Sequence, residues 1–392
     1  MRGPHHRQEH KSMQNWLWPS LIIPVCFCVS GCSTDSPTSS VRLNQIQVIG
    51  SHNSYHLRAH GSLQTLLASR SPEAVKGLDY THPPLPDQLS RLGIRQIELD
   101  CFADPEGGLY ASPKGVQWAV NAGLPPVPNQ DPEGKLDRPG FKVMHVPDID
   151  YMSTVLTLTD GLKQVLDWSE QHPGHVPIFI LLELKEDAES PELTQPILFG
   201  AKNLEAMESE IGSVIPRQKI IAPDDIRRGE RSLPEALRKF GWPKLDSVRG
   251  KIIFAMDNES AVRDRYLEGH PALEGKLLFV SVPATNPAAA WVKMNDPVHD
   301  FDQIQELVKA GFLVRTRADA DTQQSRANDP TQRDRAFASG AQFVSTDYRE
   351  PNLLFSSYSV RFENGIVARI NPIIGNPSLH GVDLEKPQKT SR

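Results

Sequence analysis

Four segments of this 392-residue chain place polar residues directly after apolar runs that have the length of buried strands. They are Ser51-His52-Asn53, Glu98-Leu99-Asp100, His145 and Glu183-Leu184-Lys185. Imidazole groups titrate near neutral pH, so His52 and His145 are candidates for general acid and general base roles. Because these polar residues end successive predicted strands, we expect them to form one site.

Three of these residues are carboxylates that would meet in one cavity. Glu98 and Asp100 are two positions apart, so they share one face of their strand. Carboxylates that point into one cavity repel each other unless a cation or a proton intervenes. With Asn53 and Glu183 they offer only oxygen ligands, which select calcium or magnesium over zinc. The pattern therefore predicts a metal site formed by these four residues.

Basic and aromatic residues near other strand ends are candidates for contact with the substrate. Lys185 and Arg315 could hold a phosphate, or each could pair with a carboxylate in a salt-bridge layer that binds no metal. Asp347-Tyr348 ends the last apolar run and is predicted to help form the pocket wall, with Tyr348 as a candidate substrate contact. Five further histidines fall in predicted loops or helix ends and are assigned no role: His56, His60, His82, His172 and His175.

The elements that must position these residues alternate between strands and helices. Eight runs predict strands: Ile46–Gly50, Arg95–Cys101, Lys142–His145, Ile178–Leu184, Lys251–Met256, Leu277–Val282, Phe312–Ala318 and Phe343–Tyr348. Amphipathic patterns between them predict helices: Pro86–Leu92, Thr159–His172, Leu193–Ile211, Ser232–Phe240, Phe301–Ala310 and Thr331–Ser339. This alternation predicts an α/β fold, a (β/α)8 TIM barrel with room for irregularity, with a doubly wound open sheet as the alternative. Barrel enzymes carry their sites at the carboxyl ends of the strands, where the polar segments lie.

The chain is predicted to divide into four parts. They are a signal peptide at 1–32, a polar linker at 33–44, the catalytic barrel at 45–350 and a C-terminal extension at 351–392. Within the extension, Tyr358–Ile370 alternates around Glu363-Asn364-Gly365, which predicts a terminal hairpin.

The N-terminal segment has the pattern of an export signal. A basic start, from Arg2 to Lys11, precedes the uncharged apolar run Trp16–Ser30, which is shorter than the ~20 residues of a membrane span. The sequence Val29-Ser30-Gly31-Cys32 then resembles a bacterial lipobox and predicts a lipid on Cys32. The alternative is an ordinary secretory signal with an incidental cysteine. A lipid there would anchor the exported barrel to a membrane, at the outer membrane or the cell surface.

Charge and cysteine content narrow the functional class. The net charge of −6 gives no support for a nucleic-acid surface, which usually carries a basic stripe. Cys26 and Cys28 lie inside the predicted signal and Cys32 would be acylated, so Cys101 is left without a disulfide partner. Cys101 is expected to be a small buried residue rather than a nucleophile. We expect a monomer.

The ordered set of strand-end residues resembles the calcium-dependent phosphatidylinositol-specific phospholipases C, in particular their small bacterial branch. In that family the first strand ends in Ser-His-Asn, the second in Glu-x-Asp, the third in His and the fourth in Glu. The matching residues here are Ser51-His52-Asn53, Glu98-Leu99-Asp100, His145 and Glu183. The resemblance runs from about Ile46 to Tyr348 and includes the segment Phe312–Thr322.

The resemblance implies a phosphodiesterase barrel that cleaves a phosphatidylinositol-type lipid to diacylglycerol and a cyclic inositol phosphate. It implies Ca²⁺, with Mg²⁺ less favoured, bound by the four oxygen-donor residues named above. It also implies that His52 and His145 are the acid–base groups.

Two other functions fit parts of the pattern. A glycerophosphodiester phosphodiesterase uses a similar His, Glu-x-Asp, His set on a similar barrel, but usually has His-Arg where this chain has His52-Asn53. A non-catalytic surface lipoprotein could bind an inositol or glycan headgroup, although every core position of the catalytic set is present here. Cleavage of deacylated rather than lipid substrate would favour the first, and calcium binding without hydrolysis would favour the second.

Overall fold

Ten strands and twelve α-helices make up residues 38–386, which the computed structural model describes. The strands are β1 Ile46–Ser51, β2 Gln96–Phe102, β3 Lys142–Val143, β4 Ile178–Leu184, β5 Ile252–Met256, β6 Leu278–Val280, β7 Trp291–Lys293, β8 Leu313–Arg317, β9 Phe343–Thr346 and β10 Ala368–Ile370. The helices are α1 Gly61–Arg70, α2 Pro72–Gly77, α3 Leu85–Ser90, α4 Lys114–Asn121, α5 Leu158–Gln171, α6 Ala201–Val214, α7 Pro223–Arg227, α8 Leu233–Phe240, α9 Ala261–Leu267, α10 Phe301–Lys309, α11 Gln323–Ala327 and α12 Thr331–Ser339. The predicted signal peptide and Cys32 lie outside the described residues.

Eight of the strands run parallel and form the wall of a nearly closed barrel. Their order around the wall is β6-β5-β4-β2-β1-β9-β8-β7. A single parallel bridge between Ser281 and Trp291 joins the two outer members of this series. The central strands are buried on both faces, as their continuous apolar sequences predict. The predicted (β/α)8 barrel is therefore confirmed.

Aromatic side chains from non-neighbouring strands fill the interior of the barrel. Phe179 on β4 stacks on Phe343 on β9, with ring centroids 4.2 Å apart. Trp291 on β7 lies 5.7 Å from the same Phe179 ring. Because these strands are not adjacent in the wall, their side chains meet inside it and form a packed core rather than a pore.

The third predicted strand, Lys142–His145, does not belong to the wall, so that prediction is wrong. Only Lys142–Val143 is a strand, and it pairs antiparallel with Cys101–Phe102 at the far end of β2. In the wall, β2 pairs directly with β4. The missing wall strand is Trp291–Lys293, which the pattern did not reveal because it is three residues long and follows a run of alanines.

The predicted terminal hairpin over Tyr358–Ile370 does not form. Glu363–Gly365 is a 3₁₀ turn with Asn364 at φ 56°, and Ala368–Ile370 pairs antiparallel with the first half of β1. That edge of β1 is open because β1 pairs with β2 only at Gly50. The C-terminal segment therefore completes the sheet instead of extending from it.

The six predicted helices form, one of them with a later start, and six further helices were not predicted: α1, α2, α4, α7, α9 and α11. Leu158–Gln171 is capped by Thr157, whose hydroxyl accepts a hydrogen bond from the Asp160 amide. Helix α6 begins at Ala201, later than predicted, because Pro196 lacks an amide proton and disfavours helix at the residue before it. No helix within residues 38–386 is long and apolar enough to cross a membrane.

Candidate active site

His52 follows β1 and is held by a carboxylate that follows β9. The two strands pair Ser51 with Thr346, so the next residues, His52 and Asp347, lie side by side. Nδ1 of His52 is 2.9 Å from Oδ1 of Asp347. Nε2 is 3.8 Å from Oε1 of Glu98 on β2. The pairing with Asp347 therefore leaves Nε2 as the nitrogen available for proton transfer.

The Asp347 carboxylate lies among positive and polar groups. Its Oδ2 is 3.5 Å from Nη2 of Arg317, and His82 lies 3.9 Å from its Oδ1. Although burial opposes ionisation, His52 and Arg317 hold the pKa of Asp347 at about 2. Burial and the charge of Arg317 lower the pKa of His52 to about 3. The imidazole of His52 is therefore neutral at neutral pH and able to accept a proton.

His145 has a carboxylate partner of its own in a different part of the fold. It lies just after β3, in a turn closed by an antiparallel bridge between Val146 and Asp150, with Asp148 at φ 74°. This turn places Oδ2 of Asp150 2.8 Å from Nδ1 of His145. As with His52, the other ring nitrogen is left for chemistry.

A third histidine, His56, shares the carboxylate of Asp150. His56 is fully buried, and its Nε2 lies 3.0 Å from Oδ2 of Asp150. Burial alone would lower the pKa of His56, but Asp150 raises it above its ordinary value. Burial opposes the ionisation of Asp150, yet His56 and His145 hold its pKa well below its usual range. Asp150 therefore keeps its negative charge beside His145.

Aromatic rings link the two candidate catalytic histidines. Tyr80 stacks on His56 with ring centroids 4.3 Å apart, and it lies 6.2 Å from the ring of His52. His56 in turn meets His145 edge to face at 5.9 Å. The Tyr80 hydroxyl accepts a hydrogen bond of 3.1 Å from Nδ2 of Asn53. The predicted catalytic histidines and one predicted metal ligand thus belong to one cluster.

The three predicted carboxylate ligands meet on the neighbouring strands β2 and β4. Each of Glu98, Asp100 and Glu183 places an oxygen within 4.8 Å of the others, and Asp100 pairs with Glu183 in the strand register. Burial raises the pKa of Glu98 to about 7. Burial and the neighbouring charge of Glu183 raise the pKa of Asp100 well above its usual range. Negative charge in this cluster is therefore incompletely balanced.

The donor set fits a hard divalent cation. Neither oxygen of Asp100, nor the amide oxygen of Asn53, accepts a hydrogen bond from any described residue, and all three atoms are buried. Buried acceptors without donors are rare in folded proteins. A cation that takes oxygen ligands, such as Ca²⁺, would satisfy these atoms and offset the repulsion among the carboxylates.

The two predicted substrate-binding cations lie against this cluster. Lys185 places Nζ 3.2 Å from Oε1 of Glu183 and 3.5 Å from Oδ2 of Asp100. Arg315 places Nη2 2.6 Å from Oε2 of Glu98 and donates a second hydrogen bond to Asn295. Both form the salt bridges that were the alternative to phosphate contact. Their role in binding substrate stays a prediction, and Lys185, with 17% of its side chain exposed, is better placed for it than Arg315 with 2%.

Tyr348, the third predicted substrate contact, lies in a different environment. Its buried ring packs against Phe355 and Tyr358, with ring centroids 6.4 and 6.2 Å away. The preceding residue, Asp347, contacts His52. Successive side chains of an extended chain point to opposite faces, so Asp347 faces the site while Tyr348 faces the aromatic cluster. The structure does not bring Tyr348 together with the other predicted residues, and its proposed role stays a prediction.

Three residues of this site were not predicted from the sequence to take part in catalysis or metal binding: Asp347, Asp150 and His56. Asp347 follows the last apolar run directly, which is the same signal that identified Glu98 and Asp100. Asp150 lies five residues after His145, a spacing that a tight turn closes. His56 carries no comparable signal, because the stacking that buries it involves Tyr80, a residue distant in the sequence.

A cavity of about 500 Å³ opens beside His145 and Asp150. Its walls combine the apolar side chains of Leu78 and Ile149 with the charged side chain of Arg326. The candidate acid–base group His145 therefore borders a space large enough for part of a substrate.

A model of the family described as "Phosphoinositide phospholipase C, Ca2+-dependent" matches residues 41–372. The matched segment contains every residue of the cluster described above. A comparison with curated proteins found no match.

Several solved structures are similar to this chain at low sequence identity. A calcium-dependent phosphoinositol-specific phospholipase C from the Gram-negative bacterium Pseudomonas sp. is 16% identical, with 86% of this chain and 97% of that chain covered and a TM-score of 0.49. A Ca²⁺-dependent phosphatidylinositol-specific phospholipase C from Streptomyces antibioticus is 15% identical, with coverage of 79% and 95% and a TM-score of 0.49. The phosphatidylinositol-specific phospholipase C from Listeria monocytogenes is 12% identical, with coverage of 81% and 92% and a TM-score of 0.43.

Proposed function

The chain belongs to the family of Ca²⁺-dependent phosphoinositide phospholipases C, and is thus a phosphoric diester hydrolase, and we propose that it cleaves phosphatidylinositol-type lipids to diacylglycerol and a cyclic inositol phosphate. The observation that carries this proposal is the site itself. Two imidazoles are each fixed through Nδ1 by an aspartate. His52 lies 3.8 Å from Glu98 of the carboxylate cluster, whose charges are incompletely balanced, and His145 is linked to His52 through the rings of His56 and Tyr80.

The carboxylate cluster is the proposed cation site. Asn53, Glu98, Asp100 and Glu183 would hold Ca²⁺, and the bound ion would supply a Lewis acid that offsets the charge of the reacting phosphate. Lys185 adds a fixed positive charge at the rim of the cluster, because Asp100 and Glu183 raise the pKa of its ammonium group above its ordinary value despite burial. A non-bridging oxygen of the phosphate would therefore meet positive charge on this side of the site.

The histidines would handle the protons. The inositol 2-hydroxyl loses its proton as its oxygen forms a new bond to phosphorus, and neutral His52 is one acceptor within the site; a carboxylate of the cluster is the other. The bond from phosphorus to the glycerol oxygen breaks, and protonated His145 donates its Nε2 proton to that oxygen. Asp150 fixes the His145 imidazole through Nδ1, which leaves Nε2 as the nitrogen that donates. Water can later open the cyclic phosphodiester.

Phosphorus NMR of the purified protein with phosphatidylinositol micelles tests the proposal. We expect a cyclic phosphodiester signal that grows in Ca²⁺ and stops after a chelator is added. Cleavage of glycerophosphoinositol with intact phosphatidylinositol would replace the proposal with a glycerophosphodiester phosphodiesterase. Ca²⁺ binding without cleavage of either compound would instead support a lipoprotein that binds a headgroup.

We also propose that the enzyme is exported and held at a membrane by a lipid on Cys32. Support comes from the sequence Val29-Ser30-Gly31-Cys32 after an apolar run. Mass spectrometry of the N-terminal peptide tests this, with Cys32→Ser as the control that removes the acylated thiol. An unmodified cysteine in a protein recovered from the membrane fraction would contradict it. A monomeric state stays a prediction.

A further inference from the structure

Two adjacent leucines are the most exposed large apolar residues in the described part of the chain. Leu353 is 81% exposed and Leu354 is 88% exposed, whereas Leu198, Val120 and Val298 reach 58% or less. Single exposed apolar residues are common on protein surfaces. A neighbouring pair at nearly full exposure is less common and points to contact with an apolar medium.

The loop that carries these leucines is anchored at both ends. Its ends meet where the Val360 amide donates to the Tyr348 carbonyl at 2.9 Å and Nε of Arg361 donates to the Arg349 carbonyl at 3.2 Å. Phe355, which follows the leucines, is half-buried and packs on the core. The leucines are therefore held outward by a fixed base rather than exposed at a free chain end.

The loop also adjoins the cavity at His145. The guanidinium of Arg326, which lines that cavity, lies 3.8 Å from the centroid of the Phe355 ring. Next to it, the Ser356 hydroxyl donates to the Ser325 carbonyl at 2.6 Å. Through Phe355 and Ser356 the loop therefore packs on residues 325 and 326, at the wall of the cavity beside His145.

Positive charge surrounds the base of the same loop. A cavity of about 370 Å³ there is lined by Arg91, Arg349 and Arg361 against a single carboxylate, Glu350. Glu350 is already paired with Arg91 at 2.6 Å. Nε of Arg349 has no hydrogen-bond partner among residues 38–386. Burial and the nearby Arg361 lower the pKa of Arg349 to about 10, so it stays charged at neutral pH.

We propose that the loop from Glu350 to Val360, the dileucine loop, docks the enzyme on an anionic phospholipid bilayer. Leu353 and Leu354 enter the interfacial region, while Arg349 and Arg361 meet the phosphates of the headgroups. The inference rests on the proposed function, because a lipid substrate must be reached in its bilayer.

The features of the loop favour a bilayer over a protein partner. Two leucines give far less apolar area than the ~800 Å² per side of a standard protein interface. A bilayer needs no shape complementarity, and its binding strength adds apolar insertion to the attraction of basic residues for anionic lipid. With the leucines in the apolar layer of the bilayer, the arginines at the base of the loop would lie at the level of the anionic headgroups.

The test compares two substrates in the full chain carrying Cys32→Ser, so that no acyl group contributes to binding. The double variant Leu353→Ser/Leu354→Ser is measured on phosphatidylinositol in vesicles and on dihexanoyl phosphatidylinositol below its micellar concentration. We expect a loss of about tenfold or more in vesicle binding by co-sedimentation and in vesicle turnover, since two leucines lose burial. Turnover of the monomeric substrate should stay unchanged.

Two further variants define the result. Leu198→Ser, at an exposed leucine of another loop, should leave vesicle binding unchanged and controls for general surface polarity. Arg361→Gln should weaken binding by about fivefold on vesicles that contain anionic lipid and have little effect on purely zwitterionic vesicles.

The outcomes separate this inference from the proposed function. Unchanged vesicle binding and turnover in the dileucine variant would overturn the inference, as would an equal loss on vesicles and monomers. If the parent protein cleaves neither substrate, the proposed function fails, while co-sedimentation still decides whether the dileucine loop binds bilayers.

Discussion

Around His52 and His145 a buried aspartate is hydrogen-bonded to each imidazole, whereas around Asp100 three carboxylates share only two cations, Lys185 and Arg315. We call the first region the paired half of the site and the second, which has more carboxylates than cations, the unpaired half. The His52 side combines Asp347 with Arg317, and the His145 side combines Asp150 with His56. On the carboxylate side, Glu98, Asp100 and Glu183 crowd within 4.8 Å. Both oxygens of Asp100 lack a hydrogen bond from the described residues.

The orientation of the two imidazoles is fixed by the folded chain, whereas the charge of the carboxylate cluster needs a bound cation to be balanced. The two imidazoles are oriented by buried carboxylates of the chain itself, which is the preorganisation that proton transfer needs. The carboxylates carry raised pKa values that burial and mutual repulsion cause, with Glu98 at about 7. We therefore expect substitutions in the paired half to act on turnover, and those in the unpaired half to act first on Ca²⁺.

The largest effect should follow from removing either imidazole of the paired half. We expect His52→Ala and His145→Ala each to lower kcat by about 10³-fold or more, because each removes an acid–base group. Ca²⁺ affinity, measured by calorimetry, should change little. The control His172→Ala removes a histidine on the surface of α5. Turnover near the wild-type rate in either site variant would remove that histidine from the mechanism.

A smaller but cation-dependent effect should follow in the unpaired half. Asp100→Asn should weaken Ca²⁺ binding by about 10²-fold, so the rise in Tm on adding Ca²⁺ should shrink and activity should return in part at higher Ca²⁺. Asp246→Asn, at an exposed carboxylate paired with Arg249, is the matched control. An unaltered Ca²⁺-dependent rise in Tm would place the cation elsewhere.

The aspartates behind the histidines should contribute less than the histidines themselves. Asp150→Asn keeps the shape of the side chain but removes the charge that supports His145, and we expect kcat to fall about 10- to 100-fold with little change in KM. Asp347→Asn should do the same through His52. A fall in substrate binding with intact kcat would contradict a positioning role for either residue.

The smallest effect on turnover is expected at His175, a buried, hydrogen-bonded histidine outside the site. There, hydrogen bonding and burial should affect stability but not turnover. His175 bonds Ser169 and the Val176 carbonyl, and burial lowers its pKa to about 4. The unfolded chain takes up a proton on His175 near pH 6.5, whereas the folded chain does so only near pH 4. The free energy of unfolding is therefore unaffected above pH 6.5 and decreases as the pH falls toward 4, by up to about 3 kcal/mol.

The variant His175→Gln isolates this contribution. It should be destabilised at pH 7, and the gap to wild type in the free energy of unfolding should narrow as pH falls. Denaturant unfolding across this pH range measures the gap. A constant gap would mean that His175 titrates alike in both states, and turnover at pH 7 should stay unaffected.

The sequence was sufficient to predict the barrel and most of the residues that the fold brings together in the candidate site, because strand ends leave a local signal. Glu98, Asp100 and Glu183 end long apolar runs, and a parallel wall brings such ends together. The same reasoning placed His145 on a wall strand, although it lies after a short antiparallel strand outside the wall. Its position beside the cluster survives because β3 pairs with the end of β2.

The missing parts depend on geometry that spacing does not encode. Asp148 and Asp150 both follow His145, and only the left-handed backbone at Asp148 decides that Asp150 turns back to the imidazole. Tyr348 rather than Asp347 was predicted to contact substrate. The two residues are adjacent, but in an extended segment adjacent side chains point to opposite sides.

The uneven pairing of the wall divides the barrel into two arcs. Strands β2 and β4 share six residue pairs, but β1 meets β2 at one pair and β6 meets β7 at one bridge. The carboxylate ligands lie on one arc, and His52 and Asp347 lie on the other. The ion pair between Glu98 and Arg315 connects the two arcs. A cation bound by Glu98 would compete with this ion pair. We therefore expect cation binding to change the opening of the two seams, measured as amide exchange at Arg95, which donates to the Ile49 carbonyl at 3.0 Å, and at Trp291.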